Sequence, residues 1–196
     1  MRALVVSCHP KPESFTGAVC AQVLARLEAR GAEVRHHDLY AEGFDPVLSA
    51  ADWDGYLDED SDRAPVARQV ADLAWCDTLI LVYRTWWSGL PAMLKGWLDR
   101  VLLPGVAFAL PKGPGEGIAP ALTHITRLAV FTTCGASWWL TWLMGAPGRR
   151  TLLRGVRALC ARRCRTVFVA QYLVDASTPE SRARHLARVG RAVDRL

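Results

Sequence analysis

An apolar run, Leu4-Val5-Val6, empties into Ser7-Cys8-His9-Pro10-Lys11-Pro12-Glu13-Ser14-Phe15-Thr16-Gly17, and a helical pattern starts directly behind it. A short β-branched run stopped by His-Pro-Lys-Pro reads as a buried strand of a parallel sheet, not as a short helix. Ser14 is placed as the N-cap of the helix that follows, which carries Val19, Val23, Leu24 and Leu27 at helical spacing and stops at Gly31. The first turn of that helix offers backbone N–H groups without intrahelical acceptors, the positive end of a helix dipole, and the hydroxyls of Ser14 and Thr16. Such an ensemble suits a bound phosphate. Taken alone, the same Ser and Thr are ordinary helix caps, so the reading depends on what the rest of the chain brings to this loop.

Glu33 to Leu39 alternates weakly and reads as a second strand, parallel to the first across a right-handed βαβ crossover. His36 and His37 are neighbours on that strand and point to opposite faces. They cannot share a metal ion, and ordinary strand residues are expected. Residues 40–64 form a long connection with at most a short helix, and its acids, from Asp52 to Asp60, are expected to be solvated. Val66, Val70, Leu73 and Ala74 mark an amphipathic helix ended by Cys76-Asp77, and the wholly apolar Thr78 to Tyr83 makes a central third strand. That strand releases Arg84-Thr85-Trp86-Trp87-Ser88-Gly89-Leu90-Pro91 before a helix with Met93, Leu94, Trp97, Leu98, Val101 and Leu102 on its apolar face.

Between Pro104 and Pro120 a surface loop is expected; its Gly113, Gly115 and Gly117 follow no strand and are not a dinucleotide fingerprint. Leu128 to Thr133 is strand four, running into Cys134-Gly135-Ala136-Ser137 and the tryptophans Trp138, Trp139 and Trp142. A helix over 148–161, strand five over 166–170, and a last helix opened by Thr178-Pro179-Glu180 complete the chain. The expected fold is a single α/β domain over residues 1–196, a three-layer sandwich. Its five-stranded parallel sheet has order 2-1-3-4-5 and helices on both faces.

With hydrophobic residues at 51% and charged residues at 22%, 196 residues can bury a substantial core. No signal-peptide pattern is visible, so export is not expected, and no apolar run approaches the ~18–20 residues of a membrane helix. Six cysteines scattered through apolar segments fit reduced thiols of a cytoplasmic protein, and no histidine spacing completes a zinc site. From Arg149 onward twelve arginines face three acids, Asp175, Glu180 and Asp194. With no helix-turn-helix or finger pattern, nucleic acid is not the expected partner; a phosphorylated cofactor or an anionic partner accounts for the charge as well.

In a doubly wound sheet, ligands bind beyond the carboxyl ends of the strands, where strand order reverses. The order 2-1-3-4-5 sets the exits of strands one, three and four side by side, and those exits carry the three unusual loops. One offers a helix N-terminus and hydroxyls, the second Thr85 and two indoles, the third Thr132, Thr133, Gly135 and further indoles. Together they suit a flat ring on a phosphate stem, which a flavin matches. Trp138, Trp139 and Trp142 serve equally as ring contacts or as a dimer interface. Cys134 reads as a small neighbour of the ring, since no histidine follows it before His185.

These residues resemble the flavodoxin-like NAD(P)H:quinone oxidoreductases over nearly the whole chain. The resemblance is carried by His9 with Ser14-Phe15, by Asp38-Leu39-Tyr40 and Phe44-Asp45-Pro46, by Trp87 and Gly89, and by Thr132-Thr133 with Gly135. Its most specific part is Pro91-Ala92-Met93-Leu94-Lys95-Gly96-Trp97-Leu98-Asp99-Arg100-Val101. It implies FAD or FMN bound without a covalent link, hydride taken from NADPH or NADH, and two-electron reduction of a quinone or similar acceptor in a ping-pong cycle by a homodimer. It places His9, Ser14, Phe15 and Thr16 at the phosphate stem, Thr85, Trp86 and Trp87 at the ring, and Thr132, Thr133 and Gly135 at the ring's polar edge. The chain departs from the family pattern at Thr16, where asparagine is usual, at Arg84, where proline is usual, and at Cys134, where glycine is usual. No counterpart follows Gly135 for the tyrosine and histidine of the mammalian charge relay. Arg84 leaves three alternatives open: an anionic acceptor, the cofactor phosphate, or a blocked ring site. The competing reading is a regulatory subunit whose arginine-rich face and tryptophan loop dock on a partner such as a membrane transporter. A one-electron carrier fits less well, because such carriers are usually acidic and this chain carries +5.

Overall fold

The computed structural model describes residues 1–58, 63–111 and 113–196; Glu59 and Asp60 of the acidic stretch and Lys112 of the glycine-rich loop lie outside the described residues. Strand β1 (Arg2–Cys8) leads through the first loop into α1 (Phe15–Ala29), and β2 (Glu33–Asp38) returns parallel to it. A short α2 (Ala50–Asp54) and α3 (Ala67–Trp75) precede β3 (Thr78–Arg84) and α4 (Ala92–Val101). The 104–120 segment is not simply loop: β4 (Phe108–Ala109) and β5 (Ala119–Pro120) pair in it, because the buried Ala107 ties it to the core. Strand β6 (Arg127–Thr133) runs into α5 (Trp138–Leu143). After it, α6 (Pro147–Arg150) passes through a π-helical stretch, Thr151–Val156, into α7 (Arg157–Leu159). Last come β7 (Arg165–Gln171) and α8 (Pro179–Val193).

The main sheet has order β2-β1-β3-β6-β7 and is parallel throughout, so its five strands taken in chain order run 2-1-3-4-5, as the alternation of elements predicts. Side chains alternate across each strand and divide the core in two. On one face Ala3, Val5, Ile80, Val82 and Phe131 meet Val19, Val23 and Leu27 of α1 and Val189 and Val193 of α8. On the other, Leu4, Val6, Leu79, Leu81 and Val130 meet Leu73 of α3, Leu94, Trp97 and Val101 of α4, and Leu152 and Val156. The central strands are apolar on both faces because helices cover both.

Strand β2 departs from the expectation of ordinary histidines. The two rings do leave on opposite faces, but His37 is fully buried, with Nδ1 2.9 Å from Glu42 Oε1 and Nε2 2.8 Å from Asp72 Oδ2. Asp72 also accepts from Arg35 at 2.6 Å, so this network ties the edge strand to α3 and to the turn behind it. Asp52, expected to be solvated, closes a capping box with Ser49 and stands 3.4 Å from the buried Arg100. Among the described residues, no helix is long and apolar enough to cross a membrane, and no group of three side chains is arranged to hold a metal ion.

Candidate functional site

The exits of β1, β3 and β6 lie side by side, with Cys8 in register with Tyr83 and Tyr83 with Thr132. At the first exit Ser14 caps α1 by accepting from the Gly17 N–H at 3.1 Å, and His9 Nδ1 accepts from the Lys11 N–H at 3.1 Å, which folds the loop back on itself. Gly17 is what lets the loop close. A Cβ built there would stand 1.8 Å from the Pro12 carbonyl oxygen, so loop and helix touch backbone to backbone. The rest of the first turn, Phe15 and Thr16 included, presents N–H groups that no helical carbonyl can reach.

Thr16 is buried and its Oγ1 lies 2.7 Å from Thr133 Oγ1, which bolts the start of α1 to the end of β6. Thr85 Oγ1 lies 2.9 Å from Thr132 Oγ1, linking the second and third exits in the same way. Three loops far apart in sequence are therefore joined by two hydroxyl pairs. Replacing Thr16 or Thr133 by valine strands the other hydroxyl in a buried site and is expected to cost about 1–3 kcal/mol. The double variant Thr16→Val/Thr133→Val removes both polar groups and should recover a large part of that loss, as urea denaturation of the four proteins of the cycle will register.

At the second exit Trp86 to Gly89 form a tight turn closed by the Gly89 N–H donating to Trp86 O at 2.8 Å. Its two central residues, Trp87 at φ 45° and Ser88 at φ 60°, are left-handed, where glycine or asparagine is favoured. Strain of ~1–3 kcal/mol per residue persists where the surroundings enforce it. Here it leaves the Trp87 indole fully exposed, at 100%. Trp86 is half exposed and carries the Arg84 guanidinium 5.6 Å from its ring centre. At the third exit Cys134 is buried, with Sγ 3.8 Å from Thr141 Oγ1, and α5 holds Trp138, Trp139, Trp142 and Leu143 on the surface.

Two cavities border this region. One of about 190 Å³ runs beside α1, lined by His9, Thr16, Gly17, Cys20, His36 and Asp38. The other, of only about 20 Å³, lies between Tyr83, Thr85, Thr132 and Cys134. It is too small to take in a flat ring. A larger cavity of about 490 Å³, lined by Asp45, Asp52, Tyr56, Arg63 and Arg100, lies near the C-terminal end of α4. That helix runs antiparallel to the strands, which puts the cavity away from their exits.

The Phe15 side chain does not turn towards the first loop. Its ring lies 5.8 Å from that of His185 and under the Arg182 guanidinium of α8, leaving its main chain to the helix N-terminus. Burial and the neighbouring Arg188 push the His185 imidazole down to about 4, while an unfolded histidine titrates near ~6.5. The unfolded chain therefore binds an extra proton between those values. The stability that rests on a neutral His185 is complete above about pH 6.5 and is lost as pH falls towards about 4. His36, pushed down by burial, acts in the same direction. The urea midpoint should fall between about pH 7 and pH 5, and His185→Phe should flatten that fall.

Sequence reasoning missed Asp175, which reaches the site from the turn before α8 and accepts from Arg84 at 2.9 Å. No pattern marks it, because 91 residues separate the partners. It also missed Tyr83, whose burial under the strand exits raises its phenol well above the ordinary range. Behind the apolar run Leu79 to Val82, the phenol of Tyr83 at the strand exit could have been flagged.

A family model described as "Flavodoxin-like fold" matches residues 1–193. The chain is 34% identical over 108 residues to the Escherichia coli (strain K12) protein named Uncharacterized NAD(P)H oxidoreductase YcaK, covering 55% of each chain. It is 33% identical over 163 residues to NAD(P)H dehydrogenase [quinone] 1 of Rattus norvegicus, covering 75% of this chain and 58% of the rat protein. The chain thus spans little more than half the length of these relatives. Among solved structures, Smu.1420 from Streptococcus mutans UA159 superposes with a TM-score of 0.84 at 25% identity over the whole of both chains.

Proposed function

Because the chain belongs to the family with the flavodoxin-like fold, we propose that it is a flavin-dependent two-electron reductase. It would take hydride from NADPH or NADH and pass it to a quinone-like acceptor in a ping-pong cycle. One observation carries the reading: a helix N-terminus, one buried and one half-buried hydroxyl pair, and a rim of exposed indoles converge where three parallel strands end. The residues present fit a flavin. The contact of Gly17 with Pro12 folds the first loop onto the head of α1, whose first-turn N–H groups are of the kind that suit a phosphate. The relatives' names, an NAD(P)H oxidoreductase and an NAD(P)H dehydrogenase [quinone], support the same class.

In this reading His9, Ser14, Thr16 and the N–H groups of the first turn, Phe15 included, hold the phosphate of FMN or FAD. Thr85, Trp86 and Trp87 flank the ring, and the backbone around Thr132, Thr133 and Gly135 faces its polar edge. The bound flavin supplies the hydride chemistry. The chain's own part is position and exclusion of water: the Trp86–Gly89 turn would set its indoles beside the ring, and the threonine pairs keep the three loops at a fixed spacing. No nucleophile is required. Initial velocities measured against NADPH at several fixed quinone concentrations should give parallel double-reciprocal lines; lines that intersect would contradict ping-pong transfer.

We assign the α5 surface, with Trp138, Trp139, Trp142, Leu143 and Met144 exposed, to contact with a second copy of the chain, and the protein to the cytoplasm, where its six free cysteines stay reduced. The same surface supports the second reading, a regulatory subunit docked on another protein. A chain that sediments as a monomer and binds flavin without turnover would favour that reading.

A further inference from the structure

Arg84 closes β3 and lies in register with Thr133 of β6, so the two side chains leave the sheet on the same face. Thr133 is the residue bonded to Thr16 in the first turn of α1. The guanidinium therefore stands on the face that carries the helix N-terminus, not on the opposite face with Tyr83 and Thr132. Its ion-pair partner is Asp175, and the pairing is incomplete. A single nitrogen, Nη2, donates to both carboxylate oxygens, at 2.9 and 3.0 Å, while Nη1 and Nε have no acceptor among the described residues. A guanidinium has five N–H donors and can bind an oxyanion through two nitrogens at once.

Asp175 is held by little else. Its side chain is 69% exposed against 24% for Arg84, and a rim ion pair of that kind contributes little and exchanges readily. Its carboxylate rests over Gly135, where a Cβ would come within 2.7 Å of Oδ2. A carboxylate of the chain itself thus sits against a guanidinium, above a bare stretch of backbone, on the face of the sheet that carries the N-terminus of α1.

We propose that Arg84 is a phosphate contact of the cofactor site, that Asp175 holds the anion position until a phosphate displaces it, and that the pair makes the site select phosphorylated flavins over unphosphorylated ones. The proposal rests on the flavin reading above and goes beyond it, since it gives the Arg84–Asp175 pair a part in choosing between flavins. Trp86, beneath the guanidinium, keeps Arg84 extended over the rim while the anions exchange.

The test is binding, not turnover. Apo-protein is titrated with FMN and separately with riboflavin at low ionic strength, following flavin fluorescence, for wild type, Arg84→Gln and Asp175→Asn. Both positions are on the rim, so the melting temperatures of the variants, measured alongside, should stay close to wild type. Arg84→Gln should weaken FMN about tenfold or more and riboflavin by less than about twofold. Asp175→Asn, which removes the competing anion, should tighten FMN severalfold and leave riboflavin unchanged. Equal losses for both flavins in Arg84→Gln, or weaker FMN binding in Asp175→Asn, would overturn the proposal and leave the flavin reading standing. Wild type that takes up neither flavin overturns the flavin reading and the proposal with it.

Discussion

Gly17→Ala is expected to abolish flavin uptake and to lower stability by about 3 kcal/mol. The added methyl would lie 1.8 Å from the Pro12 carbonyl oxygen and 2.8 Å from its carbon, both backbone atoms, so no side-chain rotation relieves the clash. Either the first loop lifts from α1 or the helix start unwinds. Both outcomes spread the N–H groups and hydroxyls of the proposed phosphate site, and Thr16, next to Gly17, would be pulled from Thr133. The loss is expected in flavin affinity first, by about a hundredfold or more, because positioning tolerates far smaller displacements than folding does. Fluorescence titration with FMN alongside a thermal melt checks both effects. Gly135→Ala is the contrast: its methyl meets the free end of the exposed Asp175 side chain, which can swing away, so the fold should hardly respond.

Gly96→Ala is the second substitution with a large expected effect, and its effect is on the fold. A Cβ at this position would come within 2.2 Å of the Pro46 carbonyl oxygen and 2.5 Å of its Cα. Gly96 is the point at which α4 receives the loop behind β2. Phe44 is buried beside that contact, and the Arg100 guanidinium donates to Asp45 O at 2.6 Å. Pushing Pro46 off the helix would break this bond and open the apolar face on which Trp97 is fully buried. A destabilisation of about 3 kcal/mol is expected, read as a lower urea midpoint at unchanged slope. It explains why Phe44-Asp45-Pro46 and Lys95-Gly96-Trp97, two of the stretches that carry the family resemblance, occur together: they are the two sides of one contact.

Much of this architecture was legible because local signals agree with the tertiary arrangement. Apolar β-branched runs stop at loops of Pro, Gly and hydroxyl residues. Ser14, Ser137 and Thr178 all act as N-caps, though only Ser14 and Thr178 were picked out from the sequence. The alternation of strand and helix then fixes a parallel sheet and the side-by-side exits of three strands. What the sequence hid is what depends on long-range approach. Nothing near Thr16 announces Thr133 as its partner, or near Arg84 announces Asp175; each pair forms only because the sheet order brings β3, β6 and the turn after β7 together. His37 read as an ordinary strand residue because the carboxylates that flank its ring come from a turn and a helix, not from its own strand. The left-handed turn at Trp87-Ser88 was hidden because neither residue prefers that conformation, so no local signal announces it.

The central claim, a flavin held where β1, β3 and β6 end and cycling between a nicotinamide and an acceptor, is tested most directly by the visible spectrum of the purified protein. FMN or FAD is added back where needed, and the spectrum is followed without oxygen on adding NADPH and then a simple quinone. The proposed function predicts one flavin per chain, bands that bleach with NADPH and bands that return with quinone. A protein that takes up neither flavin at high concentration, or that binds one whose bands NADPH leaves untouched, would contradict the account.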